Sequence, residues 1–375
     1  MNSIEIFSGA GGLAKGLEIA GVNHLAFIEW NSDACKSLRA NFNEDCVFEG
    51  DIRTFPFENY HDVDVIAGGP PCQPFSLGGK AKGNNDERDM FPPAIEAIRT
   101  LMPKAFIFEN VKGLLRESFA EYFKFIILQL TYPGTSLTSR NWQENLHLLE
   151  QIHENNSYHG LKYDVTYQLV NAADYGIPQK RERVIIVGFR NDLNVNWKFP
   201  HPTHCEDSLL WDMFVTEEYW QKHGIPNYFP KQHTFEIKQS LINKYGFWQP
   251  ELLPWKTIRD ALMGLGEPDN NGDHILRTGA KEYVGHTGSN IDAPSKTIKA
   301  GSHGVPGGEN MIRFEDGSVR YYSIAEAKRI QTFPDDYQIT GAWTEAMRQL
   351  GNAVPVELGR IVATSVFNAL DKIQC

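Results

Sequence analysis

The first 190 residues alternate short apolar runs with stretches in which apolar positions recur at helical spacing. The runs predict buried strands at 3–7, 25–29, 63–67, 105–109 and 184–189. The stretches between them predict helices at 13–20, 33–41, 92–101 and 119–130. Because strand–helix alternation is typical of a parallel sheet covered by helices, we predict an α/β, Rossmann-like domain with a mostly parallel sheet. Such a sheet binds ligands at the carboxyl ends of its strands.

Two segments depart from this alternation. Residues 131–160 begin with turn-forming residues and continue as one polar helix, which predicts a surface insertion. Residues 191–344 are rich first in aromatic residues and then in Gly, Asn, Asp and His, without a clean period, which predicts a smaller and irregular second domain. Helices are predicted at 323–331 and 355–373, and segment 345–375 is expected to complete the first domain, residues 1–190.

Composition narrows the class of protein. Hydrophobic residues make up 41% of the chain and charged residues 22%, so a sizeable core is expected rather than disorder. The sequence shows neither a signal peptide nor an apolar run of about 20 residues, the length of a membrane span. The five cysteines fit neither a disulfide framework nor a zinc site, which favours a reducing, cytoplasmic setting.

The net charge of −11 argues mildly against a nucleic-acid partner, since phosphate binding requires a basic surface. A basic cleft can nevertheless exist within an acidic molecule. Residues 274–304 carry four basic side chains against two acidic ones, besides three histidines. The charge therefore leaves a nucleic-acid partner open.

Three turns at the expected sheet edge have the features of an adenosyl site. The first strand leads into F-S-G-A-G-G at 7–12, where glycines let a ligand approach the backbone at a helix N-terminus. The second strand ends at Glu29, which can bind ribose hydroxyls, and Trp30, which can stack on adenine or belong to the core. Asp51 follows a third short strand and can accept from an adenine amino group. A Walker-type lysine motif is missing, so a nucleoside triphosphate is disfavoured.

The chemistry-bearing residues follow the next strands. Cys72 lies in G-G-P-P-C-Q-P-F-S at 68–76, where three prolines fix the backbone around a cysteine that packing explains poorly. Glu109 follows four apolar residues and is expected to donate a proton to a base in the cleft, with a capping or ion-pair role as the alternative. Arg181 and Arg183 alternate on an extended segment and suit a phosphate and a base carbonyl, although such a pair is commonly solvated surface.

In order and spacing, these segments resemble the DNA (cytosine-5) methyltransferase family. The motifs that carry the resemblance are F-S-G-A-G-G (7–12), E-W (29–30), G-G-P-P-C-Q-P-F-S (68–76), E-N-V (109–111), Q-K-R-E-R (179–183), R-I-Q-T-F-P-D (329–335) and Q-L-G-N-A-V-P (349–355). Only about 131–160 and 191–320 lie outside the match, and the second of these is where the family has its target-recognition domain. The sequence has Glu5 in a first strand that commonly reads Asp-Leu-Phe, and Asn31 where Asp is common.

The resemblance implies a catalytic mechanism and its residues. A flipped-out cytosine is attacked at carbon 6 by Cys72, Glu109 donates to ring nitrogen 3, Arg183 holds the carbonyl oxygen at position 2, and Arg181 supports a phosphate or the loop. Carbon 5 then takes a methyl group from S-adenosyl-L-methionine, without a metal. The cofactor contacts implied are Phe7, Gly9, Ala10, Gly12, Glu29, Trp30, Asp51, Ile52, Pro70, Asn352 and Val354.

The DNA contacts are expected in two places. Residues 76–91 are rich in Gly and charge and are predicted to form a mobile lid over the DNA, with Ser76, Lys80, Lys82 and Arg88 as contacts. In the second domain, Lys296 and Lys299 lie in a run of small, polar and basic residues suited to a DNA groove, or to an ordinary solvated loop.

The resemblance also implies partners and leaves two rivals. Double-stranded DNA is the expected substrate of a monomeric prokaryotic or phage enzyme, in a restriction-modification setting whose cognate endonuclease shares the site without being bound. A transfer-RNA methyltransferase of the same family would share the catalytic motifs, but the Cys-Phe-Thr signature common in that class is missing. A catalytically inactive DNA-binding homologue would lack Cys72, Glu109 or the Gly-rich turn, and all of these are present.

Overall fold

A computed structural model describes residues 1–71, 89–139, 141–155, 158–225, 232–300 and 310–373. The described strands, in chain order, are β1 Asn2–Ile6, β2 Asn23–Glu29, β3 Val47–Glu49, β4 Val65–Gly68, β5 Ala105–Val111, β6 Tyr163–Asn171, β7 Glu182–Arg190, β8 His204–Cys205, β9 Leu253–Pro254, β10 Ser289–Asn290, β11 Met311–Arg313 and β12 Val319–Tyr321. The described helices are α1 Gly12–Ile19, α2 Ser32–Asn41, α3 Phe91–Leu101, α4 Ala120–Thr131, α5 Trp142–Asn155, α6 Glu206–Phe214, α7 Glu218–Lys222, α8 Gln232–Tyr245, α9 Ile258–Leu262, α10 Ile324–Ile330, α11 Trp343–Asn352 and α12 Val356–Asp371.

Seven strands form one sheet in the order β3-β2-β1-β4-β5-β7-β6. Strands β1 to β5 are mutually parallel, whereas β7 runs antiparallel to both β5 and β6. The mostly parallel α/β sheet expected from the sequence is therefore confirmed. Because β7 is reversed, its first residues lie at the edge where β1, β2, β4 and β5 end, and this brings Q-K-R-E-R to the same edge as the Gly-rich turn.

Helices cover both faces of the sheet, and α1 packs closely against α12. A Cβ placed on Gly16 would lie 2.6 Å from the carbonyl oxygen of Val356, so only glycine allows this approach of the two backbones. Apolar residues of α12, including Leu358 and Val366, share a core with strands β4, β5 and β7. The last helix thus shares a core with the seven-stranded sheet.

The segment predicted to be a surface insertion contains α5, which packs one face against α4. Leu149 is fully buried and Leu146 nearly so, and both belong to the core that includes the sheet. On the outer side, Lys124 of α4 forms an ion pair with Glu150. The insertion therefore contributes to the core of the first domain as well as to its surface.

The second domain combines the small β10–β12 sheet with short helices. Thr257 and Ser323 each cap a helix, α9 and α10, through reciprocal capping boxes. Ile298 and Tyr322 of this region share a core with Leu350 of α11 and Val356 of α12. The region predicted to form a second domain thus shares one hydrophobic core with the last two helices.

Among the described residues, one stretch, Trp343–Asp371, has the length and apolar character of a membrane span. It consists of α11 and α12, which are separated by a break before Val356. Its most apolar window is 61% buried inside the protein. This burial is what the core helices of a folded domain require.

Candidate active site

The turn at 7–12 opens the backbone toward the carboxyl edge of the sheet. Phe7, Gly9 and Gly11 have positive φ angles of 53°, 54° and 81°. Phe7 is not glycine, so this conformation costs of the order of 1–2 kcal/mol, a strain that proteins concentrate at functional sites. A Cβ placed on Gly9 would meet no atom of the described residues within 4 Å. The turn therefore faces open space that a ligand can enter.

Glu29 at the end of β2 organises this turn. Its Oε2 accepts from the backbone N–H of Gly9 at 2.8 Å, and its Oε1 accepts from the N–H groups of Trp30 and Asn31 at 2.9 and 2.7 Å. The Trp30 side chain is 72% exposed, which rules out the alternative of a core aromatic. The Glu29 carboxylate thus holds Gly9 and Trp30 beside it, so these three predicted cofactor residues lie together.

Asp51 and Ile52 lie beside this group, because the N–H of Gly50 donates to the carbonyl of Glu29 at 2.9 Å. The Asp51 carboxylate accepts from the backbone and the guanidinium of Arg53, and these hydrogen bonds lower the pKa of Asp51. Ile52 is buried beneath it. A ligand amino group would therefore share Asp51 with Arg53.

The end of α11 forms another wall of the same site. A Cβ on Gly12 would lie 2.3 Å from the carbonyl oxygen of Val354, so the closing motif packs directly against the turn. Asn352 is exposed beside it, and the carbonyl of Ala10 accepts from the hydroxyl of Tyr337 at 2.6 Å. Open space at Gly9, an exposed indole and two carboxylates fit an adenosyl cofactor.

The chain toward the predicted nucleophile leaves β4 through Gly69, Pro70 and Pro71. The Nδ2 of Asn110 donates to the carbonyl of Pro70 at 2.9 Å, and a Cβ on Gly69 would lie 3.3 Å from Glu109 Oε2. The carbonyl of Pro71 accepts from the N–H of Met90 at 3.2 Å. The residues on either side of 72–88 therefore meet beside Glu109. Cys72, Ser76, Lys80, Lys82 and Arg88, and the lid predicted around them, lie outside the described residues.

Glu109 and Arg183 form an ion pair on neighbouring strands. Arg183 Nε lies 2.6 Å from Glu109 Oε1, and both side chains are nearly buried. The Nε–H is not directed at that oxygen, so the contact is an ion pair without an aligned hydrogen bond. The ion-pair alternative for Glu109 is thus realised, and its partner is the second predicted base-binding residue.

Arg181 has a different environment, fully buried between the domains. Its Nη2 donates to the carbonyls of Gly351 and Ala353 at 2.8 and 2.9 Å, and its Nη1 donates to that of Ile298 at 3.3 Å. Burial, followed by the nearby Arg183 charge, lowers the pKa of the Arg181 guanidinium. Of the two roles expected for Arg181, these carbonyl contacts fit support of the surrounding loops.

The second domain docks directly on the Q-K-R-E-R segment. The N–H of Lys180 donates to the carbonyl of Ser295 at 2.8 Å, and the N–H of Ser295 donates to that of Pro178 at 2.9 Å. The hydroxyl of Thr297 donates to the carbonyl of Lys180 at 2.8 Å. Lys296 and Lys299 in this run are exposed. The predicted DNA-contacting run is thus hydrogen-bonded directly to the Q-K-R-E-R segment.

Sequence reasoning missed two residues with defined roles. Gln179 is fully buried; its Oε1 accepts from the N–H of Ile298 at 3.2 Å and its Nε2 donates to Gln331 Oε1 at 3.2 Å. Tyr337, which contacts the cofactor turn, lies two positions after R-I-Q-T-F-P-D. Gln179 lies within a quoted motif, whereas nothing in the local pattern distinguishes Tyr337 from an ordinary core aromatic.

Comparison with known proteins agrees with this geometry. Residues 1–368 match the family model described as C-5 cytosine-specific DNA methylase. The Type II methyltransferase M.NgoMIV of Neisseria gonorrhoeae is 33% identical over 99% of this chain and 98% of its own length, and M.Eco47II of Escherichia coli is 33% identical over 99% and 79%. A prophage-encoded E. coli protein, assigned as a DNA modification methyltransferase, has a similar fold, with a TM-score of 0.62, 19% identity and 99% coverage of both chains. The chain therefore belongs to the C-5 cytosine-specific DNA methylase family and is a DNA (cytosine-5) methyltransferase.

Proposed function

We propose that Cys72, Glu109 and Arg183 carry out methyl transfer to carbon 5 of a flipped-out cytosine in a short double-stranded DNA sequence. The observation that carries the proposal is the Glu109–Arg183 pair beside the strand end that leads into Cys72. Glu109 and Arg183 offer a carboxyl and a guanidinium side by side. Nitrogen 3 and oxygen 2 are adjacent on the edge of cytosine, so one base can contact both groups.

In the proposed reaction, the Cys72 thiolate forms a bond to carbon 6 of the ring. A proton from Glu109 reaches nitrogen 3, which neutralises the charge that the attack places on the ring and leaves carbon 5 as the nucleophilic end of an enamine. Arg183 donates to oxygen 2 and holds the base in register. After carbon 5 has accepted the methyl group, loss of its proton to a base expels the Cys72 thiolate. Nitrogen 3 returns its proton to Glu109 in the same stage, which restores the aromatic ring.

The cofactor edge fits S-adenosyl-L-methionine, which when bound supplies the electrophilic methyl group that carbon 5 accepts. Trp30 would stack on the adenine, Glu29 would bind the ribose hydroxyls and Asp51 the adenine amino group. Gly9 leaves room for the ligand beside the backbone. The closing motif, through Val354, completes the wall of the pocket.

We further propose that the second domain selects the DNA sequence. Its run containing Lys296 and Lys299 joins the catalytic segment, so a groove contact there would set the position of the flipped base. The named relatives are Type II methyltransferases, which supports a place in a restriction-modification system. We propose that the enzyme acts there as a cytoplasmic monomer. A cognate endonuclease would act on the same site without binding this chain.

The deciding experiment is conversion sequencing of the DNA of a non-methylating host that expresses the chain, beside a Cys72→Ala control. Methylation of one short motif in the active strain alone is the expected result. If DNA from both strains lacks 5-methylcytosine while RNA carries it, the DNA substrate is wrong. Trapping on DNA that contains 5-fluorocytosine tests the covalent step separately, since the adduct should form with the active protein and not with Cys72→Ala.

A further inference from the structure

The segment between α10 and α11, residues 333–340 and here called the strap, is fastened to α2 along its length. The N–H of Gln338 donates to Asn41 Oδ1 at 2.8 Å, and Asn41 Nδ2 donates to the carbonyl of Gln338 at 2.7 Å. Thr340 completes the attachment, since its N–H donates to Ser37 Oγ and its hydroxyl to the carbonyl of Asp33, both at 2.9 Å. The strap therefore follows the helix that begins directly after Glu29 and Trp30.

From the strap, Tyr337 reaches into the turn that forms the cofactor site. Its hydroxyl donates to the carbonyl of Ala10 at 2.6 Å, and a Cβ placed on Gly11 would lie 2.5 Å from the same hydroxyl oxygen. The side chain is buried, with its ring against Phe42 and Phe333. A buried hydroxyl held at this distance fixes where the carbonyl of Ala10, and hence the turn at 7–12, can lie.

On its other side the strap is held by Lys328, a buried lysine of α10. Its ammonium donates to the carbonyls of Asp335 and Tyr337 at 2.7 and 2.9 Å and pairs with Asp273 Oδ2 at 2.6 Å. These three contacts match the three donors of an ammonium group. Asp273 belongs to the Gly- and Asp-rich part of the second domain, so a continuous chain of contacts links that domain to the cofactor turn.

We infer that Tyr337 is a positioning residue for the cofactor turn, held in place from the recognition domain through Lys328. It does not contact the reacting atoms. Its hydroxyl keeps the turn in the conformation in which Gly9 and Glu29 can contact a cofactor. Removing the hydroxyl should therefore lower the affinity for the cofactor by more than it lowers the stability of the folded protein. The inference rests on the proposed S-adenosylmethionine site.

The test measures binding of S-adenosylhomocysteine, by calorimetry, to the full chain and to Tyr337→Phe. Loss of one buried hydrogen bond predicts affinity weaker by about three- to tenfold, together with a higher KM for the cofactor and a nearly unchanged kcat at saturation. Asn41→Ala, which loosens the strap away from the turn, is expected to shift affinity in the same direction by a smaller factor.

The matched control is Tyr322→Phe. Tyr322 is fully buried and its hydroxyl lies 3.0 Å from Ser295 Oγ, so the same atom is removed from the same hydrophobic core at a hydrogen bond other than the one to Ala10. The affinity of Tyr322→Phe for S-adenosylhomocysteine should stay unchanged, even if its melting temperature falls as much as that of Tyr337→Phe. Equal losses of affinity in the two tyrosine variants, or no loss in Tyr337→Phe, would overturn the inference. Failure of the unaltered protein to bind S-adenosylhomocysteine would instead refute the proposed cofactor site.

Discussion

Arg183 Nε lies 2.6 Å from Glu109 Oε1 across the β5–β7 junction, where Arg183 pairs in register with Val111. Both side chains are nearly buried, so each is the other's partner in a poorly solvated site. A base that enters between them has to replace this contact with contacts of its own.

Glu109→Gln should retain DNA and cofactor binding but reduce the rate of methyl transfer by about 10²- to 10⁴-fold, because the amide N–H is too weakly acidic to protonate nitrogen 3. Single-turnover transfer from labelled cofactor measures this rate. The control is Glu182→Gln on the same segment, whose exposed carboxylate pairs with Lys112. It should remain close to the unaltered enzyme, and equal loss in both variants would count against the role of Glu109.

Arg181→Met should destabilise the fold by about 3 kcal/mol or more. Three hydrogen bonds from a charged donor are removed, and the buried carbonyls of Ile298, Gly351 and Ala353 remain without that donor. Urea unfolding measures the change. Arg39→Met removes only a partly exposed ion pair with Glu49 and should cost less than about 1 kcal/mol. A similar small cost for Arg181→Met would contradict its role at the domain joint.

Trp30→Ala should weaken S-adenosylhomocysteine binding by roughly tenfold, since removal of an aromatic stacking interaction costs about 1 kcal/mol or more. The melting temperature should hardly change, because the ring is mostly exposed. Trp248→Ala, at a position 83% exposed in the second domain, is the matched control and should bind the ligand normally. Normal binding by Trp30→Ala would remove Trp30 from the cofactor site.

A buried polar chain under the cofactor turn gives a pH dependence. Ser3 Oγ lies 3.1 Å from Glu5 Oε1 and 2.8 Å from His24 Nδ1, and His24 Nε2 lies 3.1 Å from the carbonyl of Ala14. Burial raises the pKa of Glu5 from 4.5 to about 8, against a smaller opposing effect of its hydrogen bond to Ser3. Burial lowers the pKa of His24 from 6.5 to about 4. Both groups are therefore neutral in the folded protein at pH 7.

Between pH 4.5 and 6.5 the two pKa shifts have opposite effects on how the free energy of unfolding changes with pH. In this range folding takes up a proton at Glu5 and releases one at His24. Between 6.5 and 8 only Glu5 contributes, so the free energy of unfolding should fall as pH rises, by at most about 1.4 kcal/mol per pH unit. Glu5→Gln removes this dependence. Urea unfolding of both proteins across that range should show their stability difference changing with pH, and a constant difference would exclude the protonated Glu5.

Replacing Lys296 and Lys299 with Ala should weaken DNA binding and flatten its dependence on salt by about 0.9 in logarithmic slope for each phosphate that is no longer neutralised. Fluorescence anisotropy over a salt series gives this slope. Lys124→Ala removes one positive charge from α4, where Lys124 pairs with Glu150, and should leave the slope unchanged. If Lys124→Ala had an equal effect per charge removed, only the net charge would matter and the placement in the second domain would be wrong.

Local patterns predicted the parallel part of the fold well. The predicted helix at 33–41 is observed as Ser32–Asn41, and the predicted strand at 105–109 as Ala105–Val111. Strand β6 was missed because its exposed positions alternate irregularly with buried ones. Helix α8 was missed because its sequence is polar and lacks a clean apolar period.

The positions of candidate site residues could be predicted where a polar residue directly follows a strand. They could not be predicted where they depend on contacts between segments far apart in the sequence. Glu29 and Glu109 stand directly after apolar runs, so their position at the edge could be inferred. The pairing of Gln179 with Ser295 joins segments more than a hundred positions apart, and no local period encodes it. Arg181 could be singled out from its motif, but its carbonyl partners depend on how the two domains pack.

The contact between Tyr337 and Ala10 joins residues 327 positions apart, and α1 at Gly12–Ile19 packs against α12 at Val356–Asp371. A ribosome adds about 5–20 residues per second, so the Gly-rich turn emerges tens of seconds before the partners that fix its shape. Until then the nascent chain exposes the apolar face of α1, and Gly12 lacks the contact with Val354 that closes one side of the site. During synthesis, a chain that still lacks these partners is therefore expected to bind the cofactor poorly and to expose apolar surface to which chaperones can bind.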